Sequence, residues 1–304
     1  FAVRAKNGDL LPHFITICNI ASQDPAQVIA GNERVILPRL SDAAFFWETD
    51  RKSPLAARQE QLKTIVFQNK LGTVYDKSQR VAALAAIIAQ QMGSEAQLAE
   101  RAALLAKCDL VTEMVGEFPE LQGIMGRYYA QLDGEPADVA EALDEQYRPR
   151  FAGDELPQTA TGIAVSLAEK LDTIVGLFGI GQPPSGVKDP FALRRAALGV
   201  LRIIIERQLS LDLFELISEA VNNFVDILTE DDVTTQVMQY FYDRLRGYVI
   251  DQGAKADEYE SVLAVSPTQP LDFMQRLNAV AEFRKLEQAE SLAAGNKRIG
   301  NILR

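Results

Sequence analysis

Histidine is nearly absent from this chain: there is one, His13, in 304 residues. That scarcity excludes multi-histidine metal clusters, most zinc sites and most histidine-based proton transfer. Cysteine is almost as rare. Cys18 and Cys108 lie far apart in sequence, which argues against a disulfide scaffold and for a reducing compartment, the cytoplasm. No apolar run approaches the roughly 20 residues that a membrane span needs, so no membrane partner is expected. Positive charge is in deficit too. With 31 Lys and Arg against 42 Asp and Glu, the net charge of −11 rules out a chain-wide cationic surface and leaves only a local basic face for nucleic acid.

What is present is the composition of a folded protein, 47% hydrophobic and 24% charged with 19 Gly and 13 Pro. Residue 1 is Phe, with neither an initiator Met nor a cleavable apolar leader, so the chain reads as a segment of something longer. Residues 1–5 and 13–20 are strand-like and flank Asn7-Gly8, a tight-turn pair, which predicts a hairpin. Asp24-Pro25 caps a short helix that Gly31-Asn32 is expected to close, and residues 55–71 show helical spacing up to Gly72. A helical block runs from Lys77 to about Phe178. The loop 179–186, with its glycines and prolines, is the best boundary candidate; it lacks the Gly-Lys-Ser/Thr ending of a P-loop. Asp189-Pro190 then caps a helix to about Gln208, and amphipathic helices follow.

Two acids fall on apolar stripes. At about 100° per residue, Asp109 aligns with Leu98, Ala102 and Leu105 if residues 98–115 are one helix. Asp172 aligns with Val165, Ala168 and Val175, and Glu169 sits at the polar edge. A buried carboxylate is costly unless it is paired, hydrogen-bonded or metal-bound, so helix caps, arginines and a ligand are all open. The words Asp76-Lys77-Ser78-Gln79-Arg80, Leu104-Leu105-Ala106-Lys107-Cys108-Asp109 and Leu167-Ala168-Glu169-Lys170-Leu171-Asp172 resemble, in order, the three helical stations of the HD phosphohydrolase superfamily. In that family the stations supply a histidine, a histidine-aspartate pair and a final aspartate to a metal. The resemblance puts Lys77 at the first, Cys108-Asp109 at the second and Glu169 at the third, a broken set. Metal-activated hydrolysis needs neutral or anionic ligands around the cation, whereas Lys77 brings a positive charge of its own. Its ammonium is therefore expected in part of the metal's space, paired with Asp109 or Glu169, with no metal bound. Cys108 reads as a small buried residue, since no histidine neighbours it to activate the thiol.

Cations cluster later. Lys188, Arg194, Arg195 and Arg202 decorate one helix, Arg195 and Arg202 share a face, and Gly199 between them leaves room for a partner backbone. Arg244 and Arg246 alternate with Tyr240, Tyr242 and Tyr248, and Lys297, Arg298 and Arg304 make a basic C-terminal end. Such residues suit RNA phosphates and unpaired bases, and equally suit ion pairs and plain helix packing.

Six longer words carry a second resemblance: residues 31–47, Phe67-Gln-Asn-Lys-Leu-Gly72, Thr112-Glu-Met-Val-Gly-Glu-Phe118, Gln122-Gly-Ile-Met-Gly-Arg-Tyr-Tyr129, Pro149-Arg-Phe-Ala-Gly-Asp-Glu-Leu-Pro157 and Lys188-Asp-Pro-Phe-Ala-Leu-Arg-Arg195. Together they resemble the β-subunit of bacterial two-subunit glycyl-tRNA synthetases over essentially the whole chain. That resemblance implies a mainly α fold with an HD-domain-like helical core, a short N-terminal β-hairpin and further C-terminal helices. It implies residues 1–72 as the edge of an upstream α/β region, 73–178 as the degenerate HD-like domain and 179–304 as helices leading toward an anticodon-binding domain. Glycyl-adenylate would be made from ATP, with Mg, on the α-subunit, and no catalytic residue or cofactor is expected in this segment. Its implied partners are the α-subunit, a second β-subunit in a tetramer of two α and two β, and glycine tRNA; DNA is not among them. A pure assembly module without RNA contact and a metal-dependent HD phosphohydrolase stay open as alternatives.

Overall fold

The computed structural model describes residues 1–289 together with 291, 292, 295 and 298. Two compact units divide the chain at residues 49 and 50. The fold is mainly α, with two small antiparallel hairpins.

In the first unit, β1 (Ala2–Arg4) pairs with β2 (Leu10–Phe14) around a turn in which Gly8 takes φ 92°. The second strand therefore lies earlier than the expected 13–20. The amide of Ile15 still donates to Phe1, but residues 16–20 form no strand. Helix α1 (Pro25–Asp50) begins where Asp24 accepts the Gln27 amide. It does not stop at Gly31-Asn32, because the Asn32 side chain donates back to the Val28 carbonyl instead of breaking the ladder, and the helix carries Pro38 in its interior.

The second unit opens at Asp50, whose buried carboxylate accepts the amides of Glu113 and Met114 and the hydroxyl of Tyr129. Residues 55–71 are not the expected helix: a 3-10 segment, Leu55–Thr64, is followed by β3 (Val66–Gln68), which pairs with β4 (Gly72–Thr73). Then come α2 (Val74–Gln91), α3 (Ala96–Leu105), a 3-10 turn at Cys108–Val111, α4 (Glu113–Glu117), α5 (Ile124–Leu132), α6 (Ala137–Glu145) and α7 (Ala160–Gly179). The remainder is α8 (Leu193–Glu206), α9 (Leu213–Asn222), α10 (Val233–Asp251), α11 (Ala256–Leu263) and α12 (Pro270–Phe283).

Helix α7 is the axle of this unit. Its residues are buried almost all round, as expected of a helix enclosed on every side. It packs on α2, α3 and α6 and also on α8, α9 and α10, so the compact unit runs across both expected boundaries, 72 and 178. Gly176 allows Phe224 and Leu71 to close against it; a Cβ there would fall 2.9 Å from the Phe224 ring.

Candidate functional site

The α2–α7 junction gathers the first charge cluster. A capping box between Thr73 and Asp76 fixes the start of α2 and so its rotation. Lys77 and Arg80, one turn apart, then both face α7. The Lys77 ammonium donates to Asp172 Oδ2 at 2.9 Å and Thr173 Oγ1 at 2.8 Å, and lies 3.5 Å from Glu169 Oε1. Arg80 Nε donates to the other Asp172 oxygen at 2.7 Å. Lys107 approaches Glu169 Oε1 to 3.4 Å while its ammonium rides 4.2 Å above the Tyr147 ring. Burial alone would raise the Glu169 carboxyl; Lys107 and Lys77 outweigh that and hold it down at about 2.

Asp109 is not in this cluster. Helix α3 ends at Leu105, so residues 98–115 are not one helix and the stripe that aligned Asp109 with Leu98 does not exist. The residue is fully buried all the same, because its Oδ2 accepts the amides of Gly123 and Gly126 at the start of α5, at 2.6 and 3.2 Å. Its Oδ1 has no partner. Burial raises the carboxyl to about 6 against the pull of the Gly123 amide and Lys107. Neighbouring Cys108 is buried, and burial followed by the Asp109 charge pushes its thiol up to about 12, the opposite of an activated nucleophile.

The Lys77 pairing is therefore with Asp172 and Glu169, and the expected Asp109 alternative does not form. The donor set does not fit a divalent metal: ammonium groups stand where a cation would meet these carboxylates. Among the described residues no group of three or more His, Cys, Asp and Glu side chains is placed to hold a metal ion.

The cations beyond residue 186 sort into engaged and free. Asp189 is not the expected N-cap: α8 starts at Leu193 with Ala192, at a left-handed φ of 55°, as its cap residue, and the Asp189 carboxylate instead reaches the Leu193 and Arg194 amides from three residues before that cap. Arg194 donates to the Gly186 carbonyl, Arg202 to Glu206 and the Asp154 carbonyl, and Arg246 to Glu260. Gly199 offers no room to a partner backbone; it is buried, and Lys170 and Pro149 fill the space beside it. Arg195 is exposed and, among the described residues, makes no hydrogen bond or ion pair; Lys188 is exposed. Arg194, Arg195 and Arg244 are brought together, with Tyr248 and Asp251, around a cleft of about 500 Å³ between α8 and α10. Arg298 is exposed, while Lys297 and Arg304 lie outside the described residues.

The sequence profile of the glycyl-tRNA synthetase beta subunit matches residues 1–264. The chain belongs to that family. It is similar to the glycine–tRNA ligase beta subunits of Marinobacter nauticus (60% identical), Hahella chejuensis (59%) and Pseudomonas aeruginosa (55%), over 303 residues in each case. All of this chain is covered but only 44% of each relative, so the chain spans less than half of the beta subunits it matches.

Within this beta-subunit segment, sequence reasoning missed three residues that shape the α7 surroundings. Arg80 was within reach, since it lies one helical turn from Lys77. Lys107 and Lys170 gave no signal. Lys170 is enclosed by oxygens, with Nζ 2.8 Å from the Arg148 carbonyl, 3.2 Å from that of Gln146 and 2.7 Å from Ser166 Oγ. Burial lowers its amine to about 7 despite the nearby Glu169.

Proposed function

We propose that this segment is a non-catalytic, tRNA-binding and scaffolding part of a glycine–tRNA ligase. In this reading glycine is activated with ATP and Mg on an α-subunit, and the tetramer of two α and two β works in the cytoplasm. The cleft between α8 and α10 carries the proposal. There Arg194, Arg195 and Arg244 converge beside Tyr248 in a chain whose net charge is −11, so this local excess of cation is not a by-product of composition. Guanidinium groups spaced along two helices suit successive phosphates, and such contacts hold a nucleic acid in register without reading its sequence. Two features support a structural role for the HD-like core: Lys77 pairs with its acids, and Cys108 holds its proton.

In the complete two-subunit enzyme, Arg195→Glu combined with Arg244→Glu is expected to weaken glycine tRNA binding at least tenfold. It should also lower the steepness of its salt dependence by about one to two phosphate contacts. Unchanged affinity and an unchanged footprint on the tRNA would remove the cleft from RNA recognition. The second reading, assembly, is favoured by the first unit: Ile29, Val35, Leu37, Leu40 and Phe45 on α1 are all exposed, more apolar surface than a helix facing only water carries. The same footprint separates the two, since an assembly module leaves the tRNA unprotected here.

A further inference from the structure

A second cleft, of about 500 Å³, lies on the other side of Arg195, a volume in the range of small-ligand sites. Its walls come from the turn before α5, the loop after α6, the middle of α7 and the start of α8. The rings of Tyr147 and Phe191 with Pro149 line its apolar part. The left-handed turn at Ala192 places Phe191 there, backed by Phe67 with ring centroids 6.3 Å apart. The cations on its lining are Arg150, Lys170 and Arg195, and the acids are Glu120 and Glu169.

Two independent observations point to a ligand. First, Gln146 and Tyr147 both line the cleft, and both carry a buried polar atom, Gln146 Oε1 and the Tyr147 hydroxyl, with no hydrogen-bond partner. Such groups are ordinarily satisfied in a folded protein. Secondly, the charge around the cleft does not cancel. Lys77 and Lys107 share Glu169, Lys77 and Arg80 share Asp172, and Arg148 and Arg150 share Asp144. With each side chain counted once, and with Glu120 on the lining and Glu155 on Arg148 included, the six cations Lys77, Arg80, Lys107, Arg148, Arg150 and Arg195 face five acids, and the surplus of one is the unpaired Arg195 at the rim. The excess favours an anion. The aromatic wall favours a flat ring beside it, which a bare phosphate or a small carboxylate would leave unused.

We propose that this cleft binds a nucleoside monophosphate group, its phosphate toward Arg150 and Arg195 and its base against Phe191. The group is available either as a free nucleotide or as an unpaired residue of RNA, and the site shares Arg195 alone with the α8–α10 cleft. The test uses the full-length beta chain, titrated calorimetrically with CMP and with an unpaired cytidine trinucleotide. Phe191→Ala and Arg150→Glu both lie outside the α8–α10 cleft, so the result does not depend on the tRNA reading. Each is expected to weaken binding about tenfold with an unchanged circular dichroism spectrum. Phe191→Leu, which keeps the packing on Phe67, is expected to weaken it to a similar extent. Tighter binding of CMP identifies the free nucleotide as the occupant, and tighter binding of the trinucleotide identifies RNA. Binding of neither, or equal binding by wild type and both variants, overturns the proposal. Loss with Arg150→Glu but not with either Phe191 variant overturns the nucleoside assignment.

Discussion

The α2–α7 junction and the pocket beneath the start of α5 each take a carboxylate out of water, and they do so with opposite electrostatic results. At the junction Glu169 faces two ammonium groups and is held at about 2; beneath α5 Asp109 faces neutral amides, keeps one oxygen without a partner and rises to about 6. Desolvation pushes both upward. What separates them is that a full positive charge a few ångströms away outweighs desolvation, whereas two amide dipoles only moderate it. The two acids therefore do separate jobs, Glu169 in an ion-pair network and Asp109 at a helix start.

The sharpest way to break the junction is to remove its centre. Asp172→Ala leaves Lys77 and Arg80 buried without their carboxylate, and a loss of about 3–5 kcal/mol is expected in urea unfolding. A near-neutral result would mean that water or a rearranged Glu169 takes over. Acid tests the next term. Because the folded Glu169 carboxyl lies below its unfolded value, its contribution is present above pH ~4.5 and is lost as pH falls toward ~2. At about 1.4 kcal/mol per tenfold change in proton affinity the loss is about 3 kcal/mol, and Glu169→Gln should flatten that limb of the stability–pH curve. Asp109 should behave in the opposite sense. Its folded carboxyl is raised, so the stability it contributes is present below pH ~4 and is lost as pH rises through ~6. Asp109→Asn keeps an oxygen for Gly123 and Gly126 and removes the charge, so the variant is expected to gain about 3 kcal/mol at pH 7 relative to wild type and to lose this dependence. A variant less stable than wild type at pH 7 would show that the ionised form is the better acceptor by more than its burial costs.

The parts of this molecule legible in the sequence are those where local chemistry and tertiary packing agree. Asp24 accepts an amide at the start of α1 as its side chain predicts, and the apolar stripe of α7 does bury Asp172. The errors arise where a distant partner decides. Residues 55–71 carry helical spacing but are drawn into a 3-10 segment and a hairpin, and the Gly31-Asn32 stop is overridden within α1. Asp109 is buried as expected for an unexpected reason, since the stripe was wrong and amides 14 and 17 residues away hold it. Among the cations, spacing along α8 placed Arg195 and Arg202 together but could not reveal that Glu206 and Asp154 engage the second; nor could it bring Arg244 from α10 to the first.

The oxygen cage around Lys170 has a consequence of its own. Carbonyls of Gln146 and Arg148 with the Ser166 hydroxyl make the kind of coordination that an alkali ion receives elsewhere, but here the ion is fastened to α7 through four methylenes. A tethered ion can be neither diluted nor exchanged, so the loop after α6 should hold its shape in potassium-free buffer. It would loosen when the amine loses its charge, by acetylation or as pH rises past about 7.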